Sequence, residues 1–236
     1  MKKNAIILGA DGYLGKELIH QDFETIVCID KNYDSWGIRE GNKIFYNANI
    51  NLKEDRDRLI TALDEEGVAI DVLVNLVGVN NQKNFFNITE SDWNNTFSNN
   101  IKSMVFFLKA IYTLFSEKVA IVNIASQNGV VAHENRIAYG PSKAALIQLT
   151  KNLSIDFLND AKKDIKVNCI SPSYILNDSN KEFFQSFEGK KLIKRIPYKK
   201  VVTAPDVIEA IMFLISSKSD AIRGQNLIID YGYTIV

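Results

Sequence analysis

The sequence predicts an α/β fold: a parallel sheet of about seven strands, doubly wound, with helices on both faces. Three observations predict it. Apolar runs of strand length alternate with helical patterns from end to end, as βαβ units require. The runs are apolar on successive residues, as in I-D-V-L-V-N-L-V at 70–77, which suits strands covered on both faces. A glycine-rich turn, Gly9-Ala10-Asp11-Gly12-Tyr13-Leu14-Gly15, joins the first strand to the first helix.

The first strand is N-A-I-I-L-G at 4–9, and Leu14, Leu18 and Ile19 give the next helix its apolar side. T-I-V-C-I-D at 25–30 is a second buried strand and I-F-Y at 44–46 a weaker third. A charged amphipathic helix covers 53–66 and stops at Gly67, a favourable C′ residue. After the strand at 70–77, Thr89-Glu90-Ser91-Asp92 forms a capping-box pattern and opens a long helix to about Phe115. V-A-I-V-N-I at 119–124 is a strand. The helix after it runs from about Tyr139 to Asp160, with Pro141 in the first turn, where its missing N–H costs nothing. I-K-V-N-C-I at 165–170, an irregular segment over 171–202, a helix over 205–216 and a strand N-L-I-I-D at 226–230 complete the chain. No linker, repeat or low-complexity tract interrupts it, so residues 1–236 are expected in one domain.

Composition narrows the function classes. Lysine plus arginine equals aspartate plus glutamate at 28 each, so no charge excess points to nucleic acid or an anionic membrane. No apolar run approaches the ~20 residues of a membrane span. The apolar run in M-K-K-N-A-I-I-L-G is too short for a signal peptide. Cys28 and Cys169 fall inside strands as free thiols, and no ligand spacing for a metal exists. A cytoplasmic, metal-free protein is expected.

The glycine turn is the place for a dinucleotide. Glycines there permit a tight turn, close backbone approach to a pyrophosphate and close helix–strand contact, with unpaired N–H groups at the helix start, in the manner of a Rossmann-type fold. Asp30 ends the second strand fifteen residues after Gly15, where an acid holds a ribose 2′-OH and repels a 2′-phosphate, so NAD is expected over NADP. A second constellation lies in I-V-N-I-A-S-Q-N-G-V-V-A-H-E-N-R-I-A-Y-G-P-S-K-A-A-L at 121–146. Ser126 follows the strand, and Tyr139 and Lys143 share a helix face four residues apart. A phenol has a pKa of about 10, and a neighbouring ammonium would lower it, giving a proton carrier for alcohol–ketone chemistry. His133 reads as a solvated loop histidine on the substrate side, and Asn123 and Asn168 as structural strand residues.

These motifs resemble those of the short-chain dehydrogenases/reductases, and the resemblance covers nearly the whole chain. Y-G-P-S-K matches the family's Y-x-x-x-K, with Ser126 thirteen residues before Tyr139, and Asn100 lies seven residues after Trp93 in S-D-W-N-N-T-F-S-N-N-I. N-L-V-G at 75–78 is similar to N-N-A-G, V-N-C-I-S-P-S at 167–173 to V-N-x-I-x-P-G, and I-R-G-Q-N-L-I-I-D-Y-G at 222–232 to the C-terminal G-Q-x-L-x-V-D-G-G. The resemblance implies that Tyr139 transfers the proton and that Lys143 lowers its pKa and holds the nicotinamide ribose. It implies further that Ser126 bonds the substrate oxygen and that Asn100 positions a relay water. Gly9, Asp11, Gly12, Tyr13, Leu14, Gly15, Asp30, Asn49, Asn75, Gly78, Pro172, Ser173 and Ile175, with Tyr139 and Lys143, would bind the cofactor. Five features depart from the family pattern. The glycine spacing is that of its extended members, Leu76 replaces the second asparagine and Ser173 a glycine. Asn177 and Asn49 stand where threonine and aspartate are usual.

The expected function is hydride transfer between NAD, or NADP, and a small-molecule secondary alcohol or ketone, with sugar and sugar-phosphate derivatives among the candidates. The alternatives are an NADPH-dependent ketoacyl reductase and a non-catalytic dinucleotide sensor or scaffold. The family implies a homodimer or homotetramer built on the helices at 90–115 and 139–160, and a substrate lid at about 173–200. In that lid Phe183, Phe184 and Phe187 suggest an amphipathic helix, and Lys190, Lys191, Lys194, Arg195, Lys199 and Lys200 suggest an anionic substrate.

Overall fold

A computed structural model describes residues 3–236. Eight strands form one sheet: β1 (Asn4–Leu8), β2 (Thr25–Asp30), β3 (Trp36–Glu40), β4 (Lys43–Asn47), β5 (Ile70–Asn75), β6 (Phe115–Ile124), β7 (Asp164–Pro172) and β8 (Asn226–Ile229). Their spatial order is β3-β4-β2-β1-β5-β6-β7-β8, and every pairing is parallel except β3 with β4. Successive residues of a strand point to opposite faces. Ile6 and Leu8 therefore join one buried cluster with Phe107 and Ile111, while Ala5 and Ile7 join another with Val207 and Ile211. Two cores, one on each face, explain why the strands are apolar throughout.

The helices are α1 (Tyr13–Leu18), α2 (Lys53–Glu65), α3 (Glu90–Phe97), α4 (Ser103–Ile111), α5 (Tyr139–Asp156), α6 (Lys181–Gln185), α7 (Phe187–Arg195) and α8 (Ala204–Ile215). α2 and α4 pack together on one side and α1 and α8 on the other. The capping box at Thr89 forms: Asp92 N–H donates to Thr89 Oγ1 at 3.1 Å, and Thr89 N–H donates to Asp92 Oδ2 at 3.1 Å.

Three expectations need correction. The sheet has eight strands, because W-G-I-R-E at 36–40 forms an antiparallel edge hairpin with β4. That strand is mostly exposed, so it carries no apolar pattern to read. The long helix over 90–115 is broken. Ser98–Lys102 is a π-helical turn, in which Ser103 N–H donates to Ser98 O, and Phe115 already belongs to β6. The segment after β7 is not irregular but contains α6 and α7. Ser186 separates them, its hydroxyl accepting the Gly189 N–H, so the three phenylalanines do not share a helix. Only Phe184 is buried, and Phe187 is 77% exposed. Both ends of this excursion meet at a bridge between Ile175 and Val202. On the two helices where the family resemblance implies subunit contacts, Phe107, Ile111 and Leu146 are intrachain core and Phe106 is exposed. Among the described residues no helix is long and apolar enough to cross a membrane.

Candidate active site

The strand order reverses between β1 and β5, and the crevice beyond their carboxyl ends is where an open α/β sheet accepts a ligand. A cavity of about 220 Å³ lies there, lined by Gly9, Gly12, Asp30, Asn49 and Gly78 among others. Gly9 turns the chain at φ +78°, and a Cβ on Gly15 would sit 2.5 Å from the Gly9 carbonyl oxygen and 2.6 Å from Ala10 Cα. The start of α1 therefore presses directly on the turn. Asp30 is fixed at the edge of the groove: its two oxygens accept the Asp11 N–H (3.1 Å) and the Asn32 N–H (3.0 Å).

Some expected residues face elsewhere. The Asp11 carboxylate pairs with Lys16 at 3.1 Å, Tyr13 is 42% exposed and Leu14 packs into the core. Helical geometry carries these side chains away, leaving the backbone of the turn toward the groove. Asn75 is buried behind the groove wall; it donates to Asn123 Oδ1 at 3.1 Å and accepts the Val77 N–H at 3.1 Å. Sequence reasoning missed Asn51 and Asn99, which line the same cavity and bond each other at 2.8 Å. The polar run N-A-N-I-N at 47–51, directly after a strand, was the available signal.

A second cavity of about 180 Å³ shares Leu76 and Gly78 with the first, and Ser126, Tyr139, Lys143, Pro172, Ser173 and Ile175 line it. Gly78 is needed for closeness, since a Cβ there would lie 3.1 Å from Lys143 Nζ and 3.4 Å from Asn100 Oδ1. Lys143 is buried and donates to the Ile124 carbonyl at 2.8 Å, and burial pushes its pKa down to about 8. Asn100 sits inside the π turn, a feature common at functional sites. Its amide accepts the Val79 N–H (2.8 Å) and donates to the Val79 carbonyl (3.1 Å) and Ser142 Oγ (2.8 Å). It thus pins the loop after β5 to α5 rather than lining the cavity with its side chain.

Ser126 accepts the Asn128 N–H at 3.2 Å. Burial raises the Tyr139 pKa, partly offset by the nearby Ser126 hydroxyl and by the positive charge of Arg136. This differs from the sequence expectation, in which Lys143 lowers it. The Lys143 ammonium lies 5.8 Å from the Tyr139 ring centroid and bonds the Ile124 carbonyl, so desolvation of the phenolate outweighs it. The phenol therefore keeps its proton at neutral pH.

A third cavity, of about 830 Å³, opens beside the second. Alternate residues of an extended chain face opposite sides. Ser173 and Ile175 accordingly line the small cavity and Tyr174 the large one. His133 is not a free loop histidine: its Nε2 lies 2.6 Å from Tyr174 Oη, and the Tyr174 ring meets the Tyr233 ring edge-on at 5.8 Å.

The family model described as Enoyl-(Acyl carrier protein) reductase matches residues 26–234. An NAD-dependent glycerol dehydrogenase of Listeria innocua is 31% identical over 245 residues, covering 99% of this chain and 94% of that protein. The chain belongs to the short-chain dehydrogenases/reductases. A 3-oxoacyl-[acyl-carrier-protein] reductase of Buchnera aphidicola is 29% identical over 98% of this chain and 97% of its own length. Among solved structures, 4-hydroxyisoleucine dehydrogenase complexed with NADH superposes with TM-score 0.87 at 26% identity, covering 99% of both chains. ElxO with NADP bound gives TM-score 0.87 at 26% identity over 100% of both. Dehydrogenase/reductase relatives thus bind either dinucleotide.

Against this dehydrogenase/reductase family the departures acquire positions. Leu76 lines both small cavities. The Ser173 hydroxyl, where the family has glycine, is buried without a hydrogen-bond partner in the protein. Asn177 accepts the backbone N–H groups of Ser179 and Asn180 and so serves its own turn.

Proposed function

We propose that the chain is an NAD-preferring oxidoreductase acting on a secondary alcohol or ketone. One observation carries this reading: Ser126, Tyr139 and Lys143 line a cavity that shares the wall residues Leu76 and Gly78 with the groove that Asp30 borders. The residues suit a dinucleotide. Gly78 leaves room between groove and cavity, the Ser173 hydroxyl is an uncommitted donor beside it, and Asp30 still has lone pairs for a ribose hydroxyl. When bound, the dinucleotide accepts or supplies the hydride.

The chain's own groups do the rest. Tyr139 holds its proton until an oxyanion develops and then donates it, and Ser126 supplies a second, fixed hydrogen bond to that oxygen. Lys143 would hold the nicotinamide ribose while keeping a cation under the phenol. Asn100 fixes the loop that brings Gly78 to Lys143 and, through the backbone of its π turn, offers a place for a relay water. The segment after Ile175, carrying α6 and α7, acts as the lid over the substrate. Homo-oligomer formation through the faces of α4 and α5 is part of the same proposal.

Tyr139→Phe is expected to lower turnover by about 10³-fold, within the range of a lost general acid; unchanged turnover would refute the assignment. Asp30 supports NAD, because its anion would face a 2′-phosphate. Dinucleotide titration of Asp30→Ser is expected to reduce the NAD preference at least about tenfold, on the scale of a charged hydrogen bond. A wild type that already prefers NADPH would favour the second reading, a ketoacyl-type reductase, for which Lys31 in the same groove speaks.

A further inference from the structure

The 830 Å³ cavity beside Tyr139 carries an imbalance of charge. Arg136, Lys191 and Arg195 line it against two acids, Glu134 and Glu188, leaving one uncompensated cation. Lys191 and Arg195 are four residues apart on α7 and share a face; the other lysines expected as a basic cluster, Lys190, Lys194, Lys199 and Lys200, do not line the cavity. None of the three lining cations forms an ion pair among the described residues.

Arg136 is the singular member. It stands three residues before Tyr139, just after Asn135, which turns the backbone at φ +57°. One terminal nitrogen donates to the Asn135 carbonyl at 2.9 Å, while its Nε is buried with no partner. It lines the large cavity, and its positive charge acts on both the Tyr139 and the Tyr174 hydroxyls. A buried, unpartnered guanidinium N–H is unfavourable unless a ligand supplies an acceptor, and guanidinium geometry suits carboxylate and phosphate.

We propose that the substrate carries an anionic group, a carboxylate or a phosphate, bound by Arg136 with Lys191 and Arg195 closing over it from the lid. The proposal rests on Tyr139 and Ser126 marking the reacting carbon. The anion then sits on the α7 side of that carbon, where the lining cations outnumber Glu134 and Glu188.

The test uses matched ketone pairs with the enzyme–NADH complex: levulinate against methyl levulinate, and dihydroxyacetone phosphate against dihydroxyacetone. Binding is read from NADH fluorescence and turnover from NADH absorbance. At least one charged member should bind about tenfold or more tightly than its neutral partner, and which pair shows the difference separates carboxylate from phosphate. Arg136→Gln should collapse that ratio toward one, and Arg195→Gln and Lys191→Gln should reduce it less; NADH affinity of each variant checks its fold. Equal binding within both pairs, no binding of either charged ketone, or a ratio unmoved by Arg136→Gln overturns the proposal. Failure of NADH itself to bind the wild type overturns the dinucleotide reading instead.

Discussion

The two halves of the cleft are built to opposite standards of hydrogen bonding. On the dinucleotide side the acid and the asparagines that hold the wall are committed within the protein. Asp30 takes two backbone N–H groups, Asn49 accepts the Asn51 N–H, Asn75 holds the turn after β5, and Asn100 makes three bonds. On the other side lie Gln127 Oε1, Asn128 Oδ1, Arg136 Nε and Ser173 Oγ, the buried side-chain polar atoms without a partner among the described residues. The first half is preorganised for a ligand of fixed shape, at no reorganisation cost on binding. The second retains hydrogen-bonding capacity beside the groups proposed to react. Unsatisfied buried groups are rare in proteins, and two of these, Ser173 and Arg136, line the second and third cavities.

The largest effect should come from breaking the committed half. Asn100→Ala removes three side-chain bonds and strands the Val79 backbone, so a loss of about 3 kcal/mol is expected at roughly 1 kcal/mol per bond. Urea denaturation measures it, and a loss below about 1 kcal/mol would mean that the wall is not held as described. A smaller effect concerns Lys143. Its pKa falls from 10.5 to about 8, so below pH 8 the buried ammonium costs about 3 kcal/mol. Between pH 8 and 10.5 the unfolded chain keeps that proton and the folded chain has released it, so stability rises with pH. Cys28 and Cys169, raised from 9.0 to about 12 by burial, act in the opposite sense only above pH 9. From pH 7 to 9 the wild type should therefore gain about 1 kcal/mol that Lys143→Met does not gain.

The same contrast decides what was legible in the sequence. Backbone-determined features were: strand–helix alternation gave the sheet, and Gly9, Gly12 and Gly15 gave the turn, because only glycine tolerates that geometry. Spacing on one helix gave Tyr139 and Lys143. What escaped depends on tertiary contact. The edge strand at Trp36–Glu40 has only Trp36 partly buried, met edge-on by Tyr46 at 5.1 Å and covered by the Arg58 guanidinium at 3.6 Å, so no periodicity announces it. The π turn at Asn100 has no composition signal, because packing of Val79 and Ser142 against the amide selects it. The direction of the Tyr139 pKa depends on how deeply the phenol is desolvated, a quantity that residue spacing does not contain. Likewise, which of six basic residues near 190–200 face the cavity follows from Ser186 ending α6 and setting the phase of α7.

The smallest effect on stability separates the halves most cleanly. Ser173→Ala deletes a buried hydroxyl that has no partner, so nothing is stranded by its removal and a desolvation cost is relieved. Stability should be unchanged or rise by up to about 1 kcal/mol, whereas a comparably buried serine with a partner would cost that much. Ser142, whose hydroxyl donates to the Tyr139 carbonyl at 2.7 Å and accepts from Asn100, is the control within the same site. If the hydroxyl at 173 is reserved for the dinucleotide, NADH affinity should fall in the same variant that gains stability. Loss of both together would place Ser173 with the structural residues, and gain of both would leave it no role in binding.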